Sequence, residues 1–441
     1  MRRVFSSGEN KFQTLDGIRF SGNSTKISGY RMINASFLSK VGKSSGRSAD
    51  DIRVKLVAIA KDEGAYFTQW VHHHLFFGFD DIEIFINRTT DNSSEVLDDI
   101  SRSYPSVTWD SADWVDMCPE EAKKQIQFVV YNKVWHEAKK DNEFTHIIFL
   151  DIDEYWIPRH FNISIKQFLA DFSDDDVISF EWLNDMGTLP KLSHVPRTIS
   201  GNLSPLVKTI YPLHAPVKEL RHHVPLFSKK VAHLLANKVD FRPRPSLIQA
   251  VSPELQSLKD AFIYHRAHRS AEEYVSLLLR GRPGDAFPYK TNRYGLPVKD
   301  DMHREIELPL DAFLKYEQSY VNFERKTNYF NHKLSAESFV EERYKASLAN
   351  LAKHSLANYP LMMQMFRGVK LPEVTKTFKD VRKNLISFRP DDFRFIRDLA
   401  IDAASQNIDE AIELMEQARE LNPTGSIILK KLDEFRALKG Q

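Results

Sequence analysis

The chain has 441 residues, and a prior of about 100–200 residues per domain divides it into two or three units. Its 61 basic and 60 acidic residues leave a net charge of +1, which points away from nucleic acid, and 42% hydrophobic residues suit a soluble globular protein. The one cysteine, Cys118, excludes an internal disulfide and a thiolate zinc site. No run of about 18 apolar residues predicts a spanning helix, and Arg2 and Arg3 lack the apolar stretch of a secretory signal. The expectation is a cytoplasmic protein, peripheral at a membrane if it touches one.

Residues 1–50 read as a basic, Ser/Gly-rich extension, with nine Lys or Arg against three acidic residues. Within it, residues 17–20 could pair with 25–27 across a turn. Gly42-Lys43-Ser44 fails as a P-loop, because Phe37 stands where the first glycine is required.

From residue 51 strands and helices alternate. Residues 54–60 are a nearly continuous apolar run of the buried parallel type. Tyr66, Phe67, Trp70, Val71, His74 and Leu75 follow at helical spacing, and Gly78 stops that helix. Residues 82–86 form the second strand, 93–103 a second helix and 107–109 a third strand. A long helix with Pro119 in its first turn leads into the strand 145–150. This order predicts an α/β fold with right-handed crossovers and a doubly wound, mostly parallel sheet flanked by helices. Ligands collect beyond the carboxyl ends of such strands, where Asp151, Ile152, Asp153 and Glu154 stand.

Beyond residue 160 the strands are isolated: 177–180, 206–210 and 261–264. Ser270 and Glu273 have capping-box spacing before a further helix. Residues 305–441 read as a helical C-terminal region. Its segments 408–421 and 425–438, around Asn422-Pro423, are similar to the close of a tetratricopeptide unit. The expected divisions are therefore 1–50, 51–304 and 305–441. The three histidines 72–74 differ by about 100° around a helix, so only one is expected to face the core and the rest the surface.

Two aspartates at a broken strand end can turn toward one point. Hard cations such as Mn²⁺ or Mg²⁺ take one or two carboxylates together with phosphate oxygens. The same pair would also suit a capped turn with solvated charges. Haloacid-dehalogenase-type phosphohydrolases use an Asp-x-Asp pair as well. They place it after the first strand and usually follow it with Thr or Val, where this chain has Tyr155 after its fourth.

Several ordered segments together resemble the family-2-like and family-92-like glycosyltransferases. They are Lys61-Asp62-Glu63-Gly64, Gln69-Trp70 with the histidines before Gly78, and the segment from Asn87 to Ser93. Gln127 with Tyr131-Asn132 and Asp151-Ile152-Asp153-Glu154-Tyr155 continue the series. Trp182 with Met186-Gly187, Lys208, His223-Val224-Pro225, Tyr264-His265 and Ser270 to Tyr274 with Arg280-Gly281 complete it. The resemblance spans residues 54–282. Asp62, Gln69, Met186 and Arg266 depart from the usual residues of that pattern.

The resemblance implies a GT-A-type domain that moves a sugar from a nucleotide-sugar donor to a glycan or lipid-linked acceptor, with inversion, using Mn²⁺ or Mg²⁺. It implies Asp153 and Asp151 as metal ligands, with His265 as a further one. Arg266, His268 and Arg269 would make the surroundings cationic. Glu63 and Asp91 would accept hydrogen bonds from the nucleoside, and Lys208 would meet phosphate or substrate. For the general base Glu181, Asp185 and His223 are the candidates, with Asp185 preferred. The C-terminal helices are expected to meet a membrane or a protein partner. The alternatives are a haloacid-dehalogenase-like phosphohydrolase and a catalytically silent binding module.

Overall fold

The computed structural model describes residues 48–281 and 287–440, so the hairpin expected at 17–27 and Gly42-Lys43-Ser44 lie outside the described residues. The first half opens with β1 (Val54–Ala60), α1 (Phe67–Phe76), β2 (Asp81–Ile86), α2 (Ser93–Ser103) and β3 (Val107–Ser111). The long helix expected after Pro119 is broken at Gln125 into α3 (Glu120–Lys124) and α4 (Ile126–Asp141). Then come β4 (His146–Phe149), β5 (Glu154–Pro158), α5 (Ile165–Ala170), β6 (Val177–Asp185) and β7 (Thr198–Pro212).

Short strands follow: β8 (Val217–Glu219), β9 (Leu226–Phe227), β10 (His233–Leu235), β11 (Pro243–Arg244) and β12 (Leu247–Val251). They precede β13 (Ala261–His265), α6 (Ala271–Leu278) and β14 (His303–Glu307). The rest is helical: α7 (Leu310–Lys326), α8 (Phe330–His354), α9 (Tyr359–Phe366), α10 (Pro372–Ser387), α11 (Phe393–Ala403), α12 (Ile408–Leu421) and α13 (Ser426–Lys439).

The main sheet runs β3-β2-β1-β4-β7-β6-β13-β5. Its first four strands are parallel, as the βαβ order predicts. Alternation within β1 shows the double winding. Val54, Leu56 and Ala58 pack into the core that holds α1 and α2, while Val57 joins the core formed with α4. Beyond β4 the sheet is mixed. β7 is antiparallel to both β4 and β6, β13 is parallel to β6, and β5 closes the edge antiparallel to β13. The stretch read as a strand at 206–210 is thus the end of a fifteen-residue strand. β14 adds to β7 where the helical region was expected to begin.

The surface position expected for two of the three histidines is wrong. His72, His73 and His74 are 2%, 0% and 0% exposed. The 100° argument assumed a helix with one free face, but α1 lies between β5 and α7. Tyr316 O–H donates to His73 Nδ1 at 3.1 Å, and His73 Nε2–H donates to the Trp156 carbonyl at 2.8 Å. His72 Nε2 reaches Ser319 Oγ at 3.1 Å, and His74 Nδ1–H donates to its own helix at the Trp70 carbonyl. Each ring is held neutral on a different wall, with His72 Nδ1 and His74 Nε2 buried without a hydrogen-bond partner among the described residues.

In the C-terminal helices Arg382 makes a bidentate pair with Glu410, 2.8 and 2.7 Å, with both side chains out of water. Glu410→Ala leaves the guanidinium buried without its counter-charge and is expected to cost about 3–5 kcal/mol, measured as a lowered urea midpoint. α12 and α13 are the helix pair that the sequence places around Asn422-Pro423. Among the described residues no helix is long and apolar enough to cross a membrane.

Candidate active site

β1 and β4 are neighbours, so the strand order reverses between them and their carboxyl ends open on a crevice. Trp70 on α1 fixes the chain there: its indole N–H lies 3.0 Å from the Asp151 carbonyl and 2.9 Å from that of Glu154. The Asp151 N–H donates to the Glu154 carboxylate at 2.8 Å, which closes the turn that carries Asp153 outward.

The two aspartates have different surroundings. Asp151 accepts from Gln127 Nε2 at 3.1 Å and faces Lys208 Nζ at 3.3 Å; Lys208 also lies 3.0 Å from Glu154. Burial would raise the Asp151 carboxyl, but Lys208 holds it below the ordinary range. Burial pushes Glu154 well above that range despite the same lysine. Lys208, placed by β7, therefore serves two carboxylates from below the site.

Asp153 faces His265 at the end of β13, with Oδ1 3.7 Å from Nε2. Burial would raise Asp153, yet His265, Arg269, Arg293 and Lys290 together hold it below the usual carboxylate range. Burial pushes His265 down to about 4, with Asp153 opposing the shift, so the imidazole is neutral at neutral pH. Its Nδ1–H donates to Asn184 Oδ1 at 2.9 Å, which leaves the Nε2 lone pair toward Asp153. A neutral nitrogen and an ionised carboxylate that meet lone pair to lone pair suit one hard cation. Among the described residues no group of three or more His, Cys, Asp and Glu is arranged to hold a metal. A cation that takes one or two carboxylates plus ligand phosphates does not need one.

The other expected residues spend their oxygens within the protein. Glu63 is paired with Arg269 at 2.9 Å and with Arg280. Asp91 accepts from the Gly64 N–H at 2.8 Å and from Ser93 Oγ at 2.5 Å. Gly64 is required by this approach, since a Cβ would stand 2.8 Å from Asn92 Oδ1. Asp185 accepts from the backbone N–H groups of His268 at 3.0 Å and Arg269 at 2.6 Å, and from the His268 ring at 2.8 Å. It fixes the turn in which Arg269 takes φ 57°. Glu181, pushed up to about 7 by burial, is sealed with Lys259 at 3.0 Å.

His223 differs from these. Its Nδ1–H donates to the Val207 carbonyl at 2.8 Å, and its ring lies 4.9 Å from that of Trp182, which in turn stacks on His265 at 4.1 Å. Burial and then Lys208 push it down to about 3. Its Nε2 remains an open acceptor on the same wall as His265. Arg266 turns away from the crevice, to Gln69 Oε1 and the Ser193 carbonyl.

The sequence reading missed a group of cations. Lys290 and Arg293 join Arg269, Arg280 and Arg343 around three carboxylates: Asp62, Glu63 and Asp153. Burial, Arg280 and Arg293 push Lys290 well below the ordinary lysine range. Arg293 Nε is buried with no hydrogen-bond partner among the described residues. The surplus positive charge beside Asp153 suits an anionic ligand. A signal existed in the sequence, since residues 280–293 hold four basic residues against Asp285 alone. Lys290→Met should raise the thermal midpoint of the unliganded protein and weaken nucleoside diphosphate binding about tenfold or more, read by calorimetry.

No curated protein matches the chain. Residues 58–210, which run from the end of β1 through most of β7 and include Asp151, Asp153 and Lys208, match the model of glycosyltransferase family 92. The segment from the end of β1 into β7, on which the acidic turn lies, is thus similar to glycosyltransferase family 92.

Proposed function

We propose that the chain transfers a sugar from a nucleoside-diphosphate sugar to an acceptor hydroxyl, with Mn²⁺ or Mg²⁺ held at Asp153 and His265. The observation that carries the proposal is the ionised Asp153 opposite the His265 lone pair, beneath more cations than the local carboxylates neutralise. Bound there, the cation would neutralise charge on the departing diphosphate. Arg280, Lys290, Arg293 and Arg343 would hold the phosphates, which brings their own buried charges into balance. Asp151 would orient the turn through Gln127 and Lys208 and stand as the outer carboxylate of the pair.

In the reaction the acceptor oxygen bonds to the anomeric carbon as the bond to the diphosphate oxygen breaks, and the hydroxyl proton leaves to a base. Of the three candidate bases His223 alone keeps a ring nitrogen, Nε2, that the described residues do not engage, since Glu181 is sealed with Lys259 and both Asp185 oxygens are taken. It would gain basicity as the bound diphosphate offsets the charge of Lys208, which helps to hold it down. Asp185, preferred from the sequence, is then a positioning residue for the Arg269 turn. Inversion, implied by the resemblance, is checked by the anomer of the product. On this reading residues 51–304 carry the transfer and the helical region lends Arg343 from α8.

The test is release of nucleoside diphosphate from a panel of nucleotide sugars, with Mn²⁺ or with EDTA. Release that needs metal and acceptor supports the proposal and identifies the donor. An acyl-phosphate formed on Asp151 would instead establish the phosphohydrolase. Absence of both release and metal-dependent nucleotide binding would leave a silent binding module.

A further inference from the structure

Between β7 and β13 the chain leaves the main sheet as short ribbons, and its charge changes there. Residues 214–244 hold seven Lys or Arg against Glu219 and Asp240, a net +5 with His neutral. The rest of the chain then sums to −4 of the overall +1. Lys218, Lys229, Lys230 and Arg242 are exposed and enter no ion pair among the described residues. Nearby carboxylates are engaged elsewhere: Glu219 with Arg221 at 3.0 Å, Asp175 with His214 at 2.8 Å, and Asp176 with the Ser173 N–H at 2.8 Å. β8 and β9 pair antiparallel, and the Ser228 N–H donates to the Pro216 carbonyl, so Lys229-Lys230 follow the end of the ribbon at which β8 begins, and Lys218 lies within β8.

The same excursion turns aliphatic side chains to water. Val239 is 38% exposed, Leu247 40% and Ile248 38%. Lys238 precedes Val239, Arg242 follows it three positions on beyond Asp240, and Arg244 lies three positions before Leu247. The excursion also starts at the site: the His222 ring packs 4.2 Å from Phe128, and His223 lies on Trp182. Cations alone would suit a soluble polyanion, and exposed aliphatic groups alone a protein. Together on one short stretch of chain they match an anionic bilayer interface, where headgroups meet Lys and Arg and the acyl boundary meets Leu and Ile.

We propose that residues 217–248 rest on an anionic lipid surface, and that the neighbouring site takes an acceptor carried by that lipid. The second clause rests on the glycosyltransferase reading; the first does not.

Co-sedimentation of the full chain with phosphatidylcholine vesicles, with and without phosphatidylserine, tests it. Binding is expected only to the phosphatidylserine vesicles and should fall with salt. Lys229→Glu with Lys230→Glu should weaken it by at least about tenfold. Leu247→Ser with Ile248→Ser should lower the binding that persists at high salt. In the absence of vesicles both double variants should hydrolyse the nucleotide-sugar donor as wild type does. No partition onto anionic vesicles, or partition that neither double variant changes, overturns the proposal. Binding to soluble dextran sulfate that anionic vesicles do not displace also overturns it, in favour of a soluble polyanion. Vesicle binding without any donor turnover sinks the transferase reading and leaves the lipid surface standing.

Discussion

Asp153→Ala is expected to abolish metal-dependent release of nucleoside diphosphate, with kcat lower by about 10²–10³ or more. The size follows from how the carboxylate is held. It is ionised in a mostly buried position because His265, Arg269, Arg293 and Lys290 stabilise its charge against burial. Alanine removes the only carboxylate among the described residues that faces His265 Nε2 within 4 Å. The cations around it then lose their counter-charge, so nucleotide binding without metal should tighten or stay level while metal dependence disappears. That divergence between nucleotide binding and turnover separates loss of a ligand from loss of the fold. Asp153→Asn gives the same result if charge matters, because the amide keeps the shape. Equal metal-dependent release by wild type and both variants would remove Asp153 from the chemistry.

The second large effect is acid lability. Burial pushes His72 and His73 down to about 3 and His74 well below the ordinary imidazole value of 6.5. His73 lowers its two neighbours further, His194 adds to the effect on His72, and Arg266 acts on His73, which the Trp156 carbonyl partly offsets. Below about pH 6.5 the unfolded chain binds protons that the folded chain refuses, so stability falls with pH from there toward the folded values. Each ring contributes about 1.4 kcal/mol per pH unit, so the three together cost about 6 kcal/mol at pH 5. That is a large part of the 5–15 kcal/mol typical of a folded protein. Urea midpoints should be level above pH 7 and drop steeply toward pH 5. His74→Phe keeps a ring against Phe79 and Tyr155 and should lower the slope by one proton. A flat profile from pH 7 to pH 5 would show that the three rings are charged or exposed.

The parts legible in the sequence share one property: their signal is local. Val54 to Ala60 is a buried run, α2 spans 93–103 as its periodicity predicts, and Ser270 with Glu273 forms its capping box. Local order then placed Asp151 and Asp153 beyond the carboxyl end of β4, because successive βαβ units leave few topologies open. His265 was named through resemblance to a family, and β13 brings it opposite Asp153 across 112 positions of chain.

By itself, then, the sequence determined the alternation of elements, the parallel half of the sheet and the edge from which the acidic pair emerges. Only the tertiary structure decided what each charge does. Glu63 and Asp91 read as nucleoside contacts and Asp185 as the general base, and in the fold their oxygens hold loops together. Lys290 and Arg293 drew no reading from the sequence, yet they gather beside Asp153. His72 and His73 of α1 are buried by α7, more than 230 residues later in the chain. The reason is physical. Periodicity reports which face of an element is apolar, whereas ionisation and hydrogen bonding depend on partners that only long-range packing supplies.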